Sequence, residues 1–166
     1  MENLKIEESI LHYIYCKNFG EGDPPLNVLD KWAVQQKFDK VVFWEQYDHI
    51  IKKEFAHFLQ DEGTVRLTPK GVLHTEKAGL VGVDLIAKNR HIRKLLMSTL
   101  ARHLEKRGTV VTIDELIEHA KLEGHYCYGN IELLIGMGYI RWVIPRVNLS
   151  ISAKVCAKDA SLTKAP

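Results

Sequence analysis

The sequence predicts a mainly α fold with short β elements (α+β), made of two halves of similar element order joined by one long helix. Three observations carry that prediction. Apolar residues recur at three-and-four spacing along most of the chain, most continuously in Asp84–Gly108. Helix-start signals stand at Thr68-Pro69 and at Thr112-Ile113-Asp114-Glu115. Period-two alternation is confined to short pieces, above all Gly138–Ile144 and Leu149–Ala153.

Taken in order, the first helix is marked by Leu4, Ile6, Ile10, Leu11 and Ile14 and ends near Asn18-Phe19-Gly20, where the glycine- and proline-rich GEGDPP loop begins. A second, short helix follows from about Leu26 to Lys37, with Leu29, Trp32 and Ala33 inward. A third runs from about Val42 to Asp61. Tyr47, Ile51, Phe55, Phe58 and Leu59 form its core stripe, and Gln46, His49, Lys53, His57 and Gln60 its outward side. Those outward residue types can donate to base edges or phosphates. Glu45, Asp48, Glu54, Asp61 and Glu62 share the same helix, and acids repel a polyanion. After Gly63, Thr64–Leu67 reads as a strand that passes almost at once into a helix, so no long hairpin is expected in this half. Thr68 as N-cap and Pro69 in the first turn open that fourth helix, which runs through Glu76-Lys77 and stops at Gly79.

The long joining helix has Asp84 as its expected N-cap and Gly108 as its stop, with Ile92, Leu95, Leu96, Thr99, Leu100 and Leu104 as a buried stripe. Its other faces carry Lys88, Arg90, Arg93, Lys94, Arg102, Lys106 and Arg107, with His91 and His103 among them, against only Asp84 and Glu105. That is a net +5 in a chain whose formal total is +2, so everything outside this helix sums to −3. Such a surface can hold phosphates, or it can be a solvated face whose Lys and Arg stems cover apolar surface.

In the second half Thr109-Val110-Val111 is a short β-prone piece. Thr112 and Glu115 form a capping box that opens a helix to about Glu123, with Ile113, Leu116, Ile117 and Ala120 inward and Gly124 ending it. His125–Gly136 reads as a further helix packed through Ile131, Leu134 and Ile135. A strand over Gly138–Ile144, a turn at Pro145-Arg146-Val147-Asn148 and a returning strand over Leu149–Ala153 complete a hairpin. From Leu122 to Ile140 there is no Lys or Arg. Tyr126, Tyr128 and Asn130 have side chains able to touch a backbone or a base, but the aromatics and Leu133 on this helix read rather as packing or a protein interface, and Arg141 and Arg146 are the candidate phosphate contacts of this half.

At 166 residues, 46% hydrophobic and 27% charged, the chain has the size and composition of a globular protein of one ordinary or two small domains. The N-terminus is acidic and polar and no apolar run reaches the length of a membrane span, so a cytoplasmic protein without membrane contact is expected. Cys16, Cys127 and Cys156 support neither a disulfide framework nor a metal knuckle. His119, His125 and Cys127 lack a fourth ligand at zinc spacing, and no metal is expected. Gly79-Leu80-Val81-Gly82 lacks the lysine of a phosphate loop, and no serine sits in a Gly-x-Ser-x-Gly elbow. The acid pairs Glu7-Glu8, Asp61-Glu62 and Asp114-Glu115 are adjacent, so on a helix they point about 100° apart. No catalytic residue and no cofactor are expected.

A helix ending in Asp61-Glu62-Gly63, then a strand, then Leu67-Thr68-Pro69-Lys70-Gly71, resembles the winged-helix group of prokaryotic DNA-binding domains. The second half resembles the same group in element order, although the halves share no repeat in sequence. The resemblance implies two winged-helix domains, 1–82 and 83–155, the second beginning with the long helix. The small and polar residues at the end read as a flexible tail over 156–166.

The resemblance further implies a transcriptional regulator bound to double-stranded DNA. The third helix of the first half would enter a major groove through Gln46, His49, Lys52, Lys53 and His57. Arg90, Arg93 and Lys94 of the joining helix, with Arg141 and Arg146, would grip phosphates. That reading requires the cations of the joining helix and the outward side of residues 44–60 to share one side of the molecule. The alternative is a protein-interaction module of a larger assembly, with a protein partner or a homodimer.

Overall fold

The computed structural model describes residues 2–107, 111–144 and 148–151. The chain is mainly helical with two small antiparallel sheets. Its contacts divide it into two units, Met1–Ala87 and Lys88 onward. The division falls within the first turn and a half of the long helix rather than ahead of it. The helix stop expected at Gly108, the strand residues Thr109-Val110, the turn residues Pro145-Arg146-Val147, Cys156 and the tail 156–166 lie outside the described residues.

The first unit begins with α1 (Glu2–Asn18), which buries Ile10, Leu11, Ile14 and Tyr15. α2 (Leu26–Gln35) buries Leu29 and Ala33, and Trp32 stacks on Tyr13 with centroids 4.3 Å apart. α3 (Lys40–Lys52) starts two residues earlier than expected, because the Asp39 carboxylate accepts from the amides of Val41 and Val42. The expected continuation of this helix to Asp61 is wrong. At Glu54 the backbone turns left-handed (φ 59), the Phe55 amide bonds back to the Ile50 carbonyl, and the chain leaves as β1 (Ala56–Leu59). Phe55, Phe58 and Leu59 fall at helical spacing, but a helix stripe and a helix end followed by a short strand give the same spacing over so few residues. The buried face of α3 is therefore Phe43, Tyr47 and Ile50, and Phe58 is 39% exposed.

β1 pairs with β2 (Thr64–Leu67) in register from Ala56↔Leu67 to Leu59↔Thr64, closing a hairpin in the half where no long one was expected. Asp61-Glu62-Gly63 belongs to its turn, not to a helix end. An isolated bridge joins Pro25 to Thr64, on the edge of β2 away from β1. α4 (Pro69–Lys77) is opened by Thr68, whose hydroxyl accepts from the Gly71 amide, as its sequence signal indicates. Asn18 fastens the end of α1 to the hairpin: its Nδ2 donates to the Val65 carbonyl at 3.2 Å and its Oδ1 accepts from the Leu67 amide at 2.9 Å. Tyr15 Oη donates to the buried Glu76 at 3.0 Å, tying α1 to α4.

α5 (Val83–Arg107) starts one residue before Asp84, with the Gly82 carbonyl accepting from Leu85 and Ile86. Asp84 is therefore a first-turn acid rather than the cap, favourable there through the helix dipole. From Lys88 the second unit continues with β3 (Val111–Thr112), α6 (Ile113–Ala120), α7 (Gly124–Gly136), β4 (Ile140–Ile144) and β5 (Asn148–Ile151). The Thr112/Glu115 capping box is formed in both directions. α6 ends at Lys121, which is left-handed, and Gly124 opens α7 instead of closing α6. The core joins Ile92, Leu96 and Leu100 of α5 to Val111, Leu116, Cys127, Ile131, Leu134 and Ile140.

The strands of the second unit lie in the order β3-β5-β4. Each unit therefore contains, in order, helix, short β segment, helix, helix and hairpin, to which the first unit adds α4, and in each the short segment (Pro25 or β3) pairs with the second strand of the hairpin. The units also share a way of ending helices. α2, α3, α4, α6 and α7 each leave through a left-handed residue, respectively Lys37, Glu54, Gly79, Lys121 and Gly138. The amide of the next residue bonds back to a carbonyl five positions earlier.

Candidate nucleic-acid interface

Five candidate contacts lie in the first unit, and the structure disperses them. Gln46 is half-buried on α3. His49 and Lys53 face the carboxylate of Glu7 on α1, which is 6% exposed. Lys53 Nζ donates to its two oxygens at 2.9 and 3.0 Å, and His49 Nδ1 lies 3.4 Å from Oε2. Lys53 caps the C-terminus of α3 and also sits 5.9 Å from the Phe55 ring centroid. His57 is on β1, not on the helix, and pairs across the hairpin with Arg66. Partial burial, then the Arg66 charge, push its imidazole pKa below the ordinary value, with Asp23 pulling the other way. Lys52 is exposed at the end of α3.

The outermost ridge of α3 reads Val41, Glu45, Asp48 and Lys52, all exposed. Two acids between an apolar residue and one lysine make a poor lining for a groove walled by phosphates. The first unit carries 10 Lys and Arg against 14 Asp and Glu, a net −4.

The second unit holds 13 Lys and Arg against 7 Asp and Glu, a net +6, because every cation of α5 from Lys88 onward belongs to it. With Ile92, Leu96, Leu100 and His103 buried, helical geometry turns Arg90, Lys94 and Arg102 outward, with Lys88 and Lys106 at the edge of that face. All five are exposed, as is His91, while Arg93 is half-buried. Arg141 is exposed on β4, and Arg146 lies outside the described residues.

Three features of this unit were missed in the sequence. Lys88 Nζ stands 3.4 Å over the Tyr126 ring, bringing a cation of α5 onto α7. Asn130, by residue type a candidate for a backbone or base contact, is fully buried and donates to Asn89 Oδ1 at 3.1 Å and to the Tyr126 carbonyl at 2.9 Å. His103 is buried, with its ring 5.6 Å from that of His119. Spacing could have found two of them. Asn130 lies in line with Cys127, Ile131 and Leu134, and His103 follows Ile92, Leu96, Thr99 and Leu100 at the same period. Glu7 in the first unit carries the same mark, three and four residues before Ile10 and Leu11.

Among the described residues no three His, Cys, Asp or Glu side chains come together as a metal cluster, and no helix is long and apolar enough to cross a membrane. A shallow groove of about 540 Å³ in the first unit is lined by Ile51, Ala56, His57, Thr68 and Lys70. It is open, and the Thr68 hydroxyl that lines it donates to the Glu54 carbonyl at 2.6 Å. No protein-family model, curated protein or solved structure matches the chain.

Proposed function

We propose that this is a non-enzymatic tandem winged-helix protein that binds DNA as a transcriptional regulator, held mainly by phosphate contacts of its second unit. The β3-β5-β4 order after a helix and around two further helices supports the winged-helix reading, and the Pro25–Thr64 bridge gives the first unit the same order in reduced form. The observation that carries DNA binding is the outward face of α5, where Arg90, Lys94 and Arg102 stand exposed in a unit of net +6. Phosphate contacts of this kind supply most of the sequence-independent affinity and release counterions.

The test is fluorescence anisotropy of a labelled duplex with the full chain across a salt series. Affinity should fall about 10³-fold or more between 50 and 200 mM salt if six or more phosphates are engaged. The Lys94→Glu/Arg102→Glu/Lys106→Glu variant should lose most of the binding, whereas Lys52→Ala should lose little. A chain that binds no DNA even at low salt sinks the proposal. A second reading, a protein-interaction module with a protein partner or a second copy of itself, is favoured by the acidic ridge of α3 and the net −4 of the first unit. It predicts salt-independent self-association or partner capture without DNA affinity.

A further inference from the structure

The second unit places its cations and its third helix in an unusual relation. α7 occupies the position of a groove-reading helix, yet it has no Lys or Arg. What α7 does present is aromatic. Tyr128 is 50% exposed on the side away from the core, and Tyr126 lies at the opposite edge of the outward face, under the Lys88 ammonium at 3.4 Å. The Asn89–Asn130 hydrogen bond holds the start of the basic stretch of α5 against the middle of α7, so the cation beside Tyr126 is fixed there by two contacts.

The closed duplex does not suit this arrangement. A major groove offers base edges between two rows of phosphate, and a helix entering it needs donors and cations. The flat face of a base, which is what a tyrosine ring can use, is covered by its neighbours in the stack. Unpaired strands reverse both conditions: bases lie open to aromatic rings, and a backbone can be followed by cations placed beside those rings rather than on the reading helix itself.

Building on the DNA-binding reading above, we propose that the second unit takes unpaired DNA, with Tyr128 stacking on an open base at one edge of α7 while Lys88, at the other edge, and the outward cations of α5 hold the backbone farther along the strand. The partner is then single-stranded or locally melted DNA in preference to closed duplex.

The experiment compares the full chain on three labelled DNAs of one sequence: a single strand, a closed duplex, and a duplex with a central unpaired bubble, at low and at physiological salt. The single strand and the bubble should bind about tenfold or more tighter than the closed duplex. Tyr128→Ala should remove that preference and leave duplex affinity within about twofold, and Tyr128→Phe should keep it, since stacking needs the ring and not the hydroxyl. Thermal melts of both variants exclude loss of folding as the cause. A closed duplex bound as tightly as the single strand, or a Tyr128→Ala variant weakened equally on all three, overturns this inference while DNA binding stands. Failure to bind any of the three at low salt overturns both.

Discussion

Lys53 Nζ lies 2.9 Å from Oε1 of the buried Glu7, so a lysine whose residue type suggests a phosphate contact is the counter-ion that closes the end of α3 onto α1. Removing it strands a carboxylate out of water. Lys53→Ala should lower stability by about 1–2 kcal/mol, below the cost for a fully buried pair because Lys53 is partly exposed and His49 remains near. Lys52→Ala should melt with the wild type. If the two variants melt together in a thermal scan, the ion pair contributes nothing and Lys53 is available to a ligand after all.

The phase of α3 predicts different costs for two phenylalanines. Phe43 is fully buried, with the rings of Trp32 and Phe38 at 6.3 and 6.4 Å, whereas Phe55 is half-buried beside His74, with ring centroids 4.3 Å apart. Phe43→Ala should cost about 3–5 kcal/mol and Phe55→Ala clearly less. Chemical denaturation of both variants measures the difference, and equal losses would return the longer helix read from sequence.

At Gly71 α4 passes close to the backbone of Phe55, just before β1. A Cβ there would lie 1.8 Å from the Phe55 carbonyl oxygen and 2.7 Å from its carbon, backbone that cannot swing aside. Gly71→Ala should therefore cost about 3 kcal/mol or more. At Gly124 the nearest atom to an added Cβ is 3.9 Å away, so Gly124→Ala serves as the harmless control.

The capping box gives a pH dependence. Hydrogen bonds from the Thr112 backbone and then its side chain hold the Glu115 carboxyl below its ordinary value of 4.5. A depressed carboxylate contributes stability that is complete above the unfolded value and is lost as pH falls through the lower, folded one. The melting temperature of Glu115→Gln should therefore lie below that of the wild type at pH 7, with the gap closing as pH drops under about 4.5. A gap that is constant with pH would assign the effect to shape and not charge.

How far the sequence reaches depends on whether its signals are local. Thr68-Pro69 and Thr112-x-x-Glu115 set helix starts through bonds spanning three residues, and both starts occur where the residues say. The hairpin β1–β2 depends instead on Glu54 adopting a left-handed conformation, which an acidic residue does not announce, so the apolar residues on either side of it read as one continuous helix. Charge was legible as a count but not as a place: the net +5 of the long helix is visible in the letters, but its assignment to the second unit is not. Polar residues on apolar stripes, Glu7, Asn130 and His103, are where the two-letter apolar/polar reading fails, since a neighbour on another element, respectively Lys53, Asn89 and His119, meets each of them.

Five helices leave through one kind of turn, but only Gly79 and Gly138 occupy it with the residue that enters a left-handed conformation freely. Lys37, Glu54 and Lys121 hold the same geometry with a side chain attached, a steric burden of about 1–2 kcal/mol each before the flexibility of an unfolded glycine is deducted. Three unclaimed increments of thermal tolerance are thus lodged at exposed corners, clear of both hydrophobic cores. Glycine or asparagine at all three should give a hardier version of the same molecule, with the loss of the exposed Lys70–Glu54 pair a small deduction.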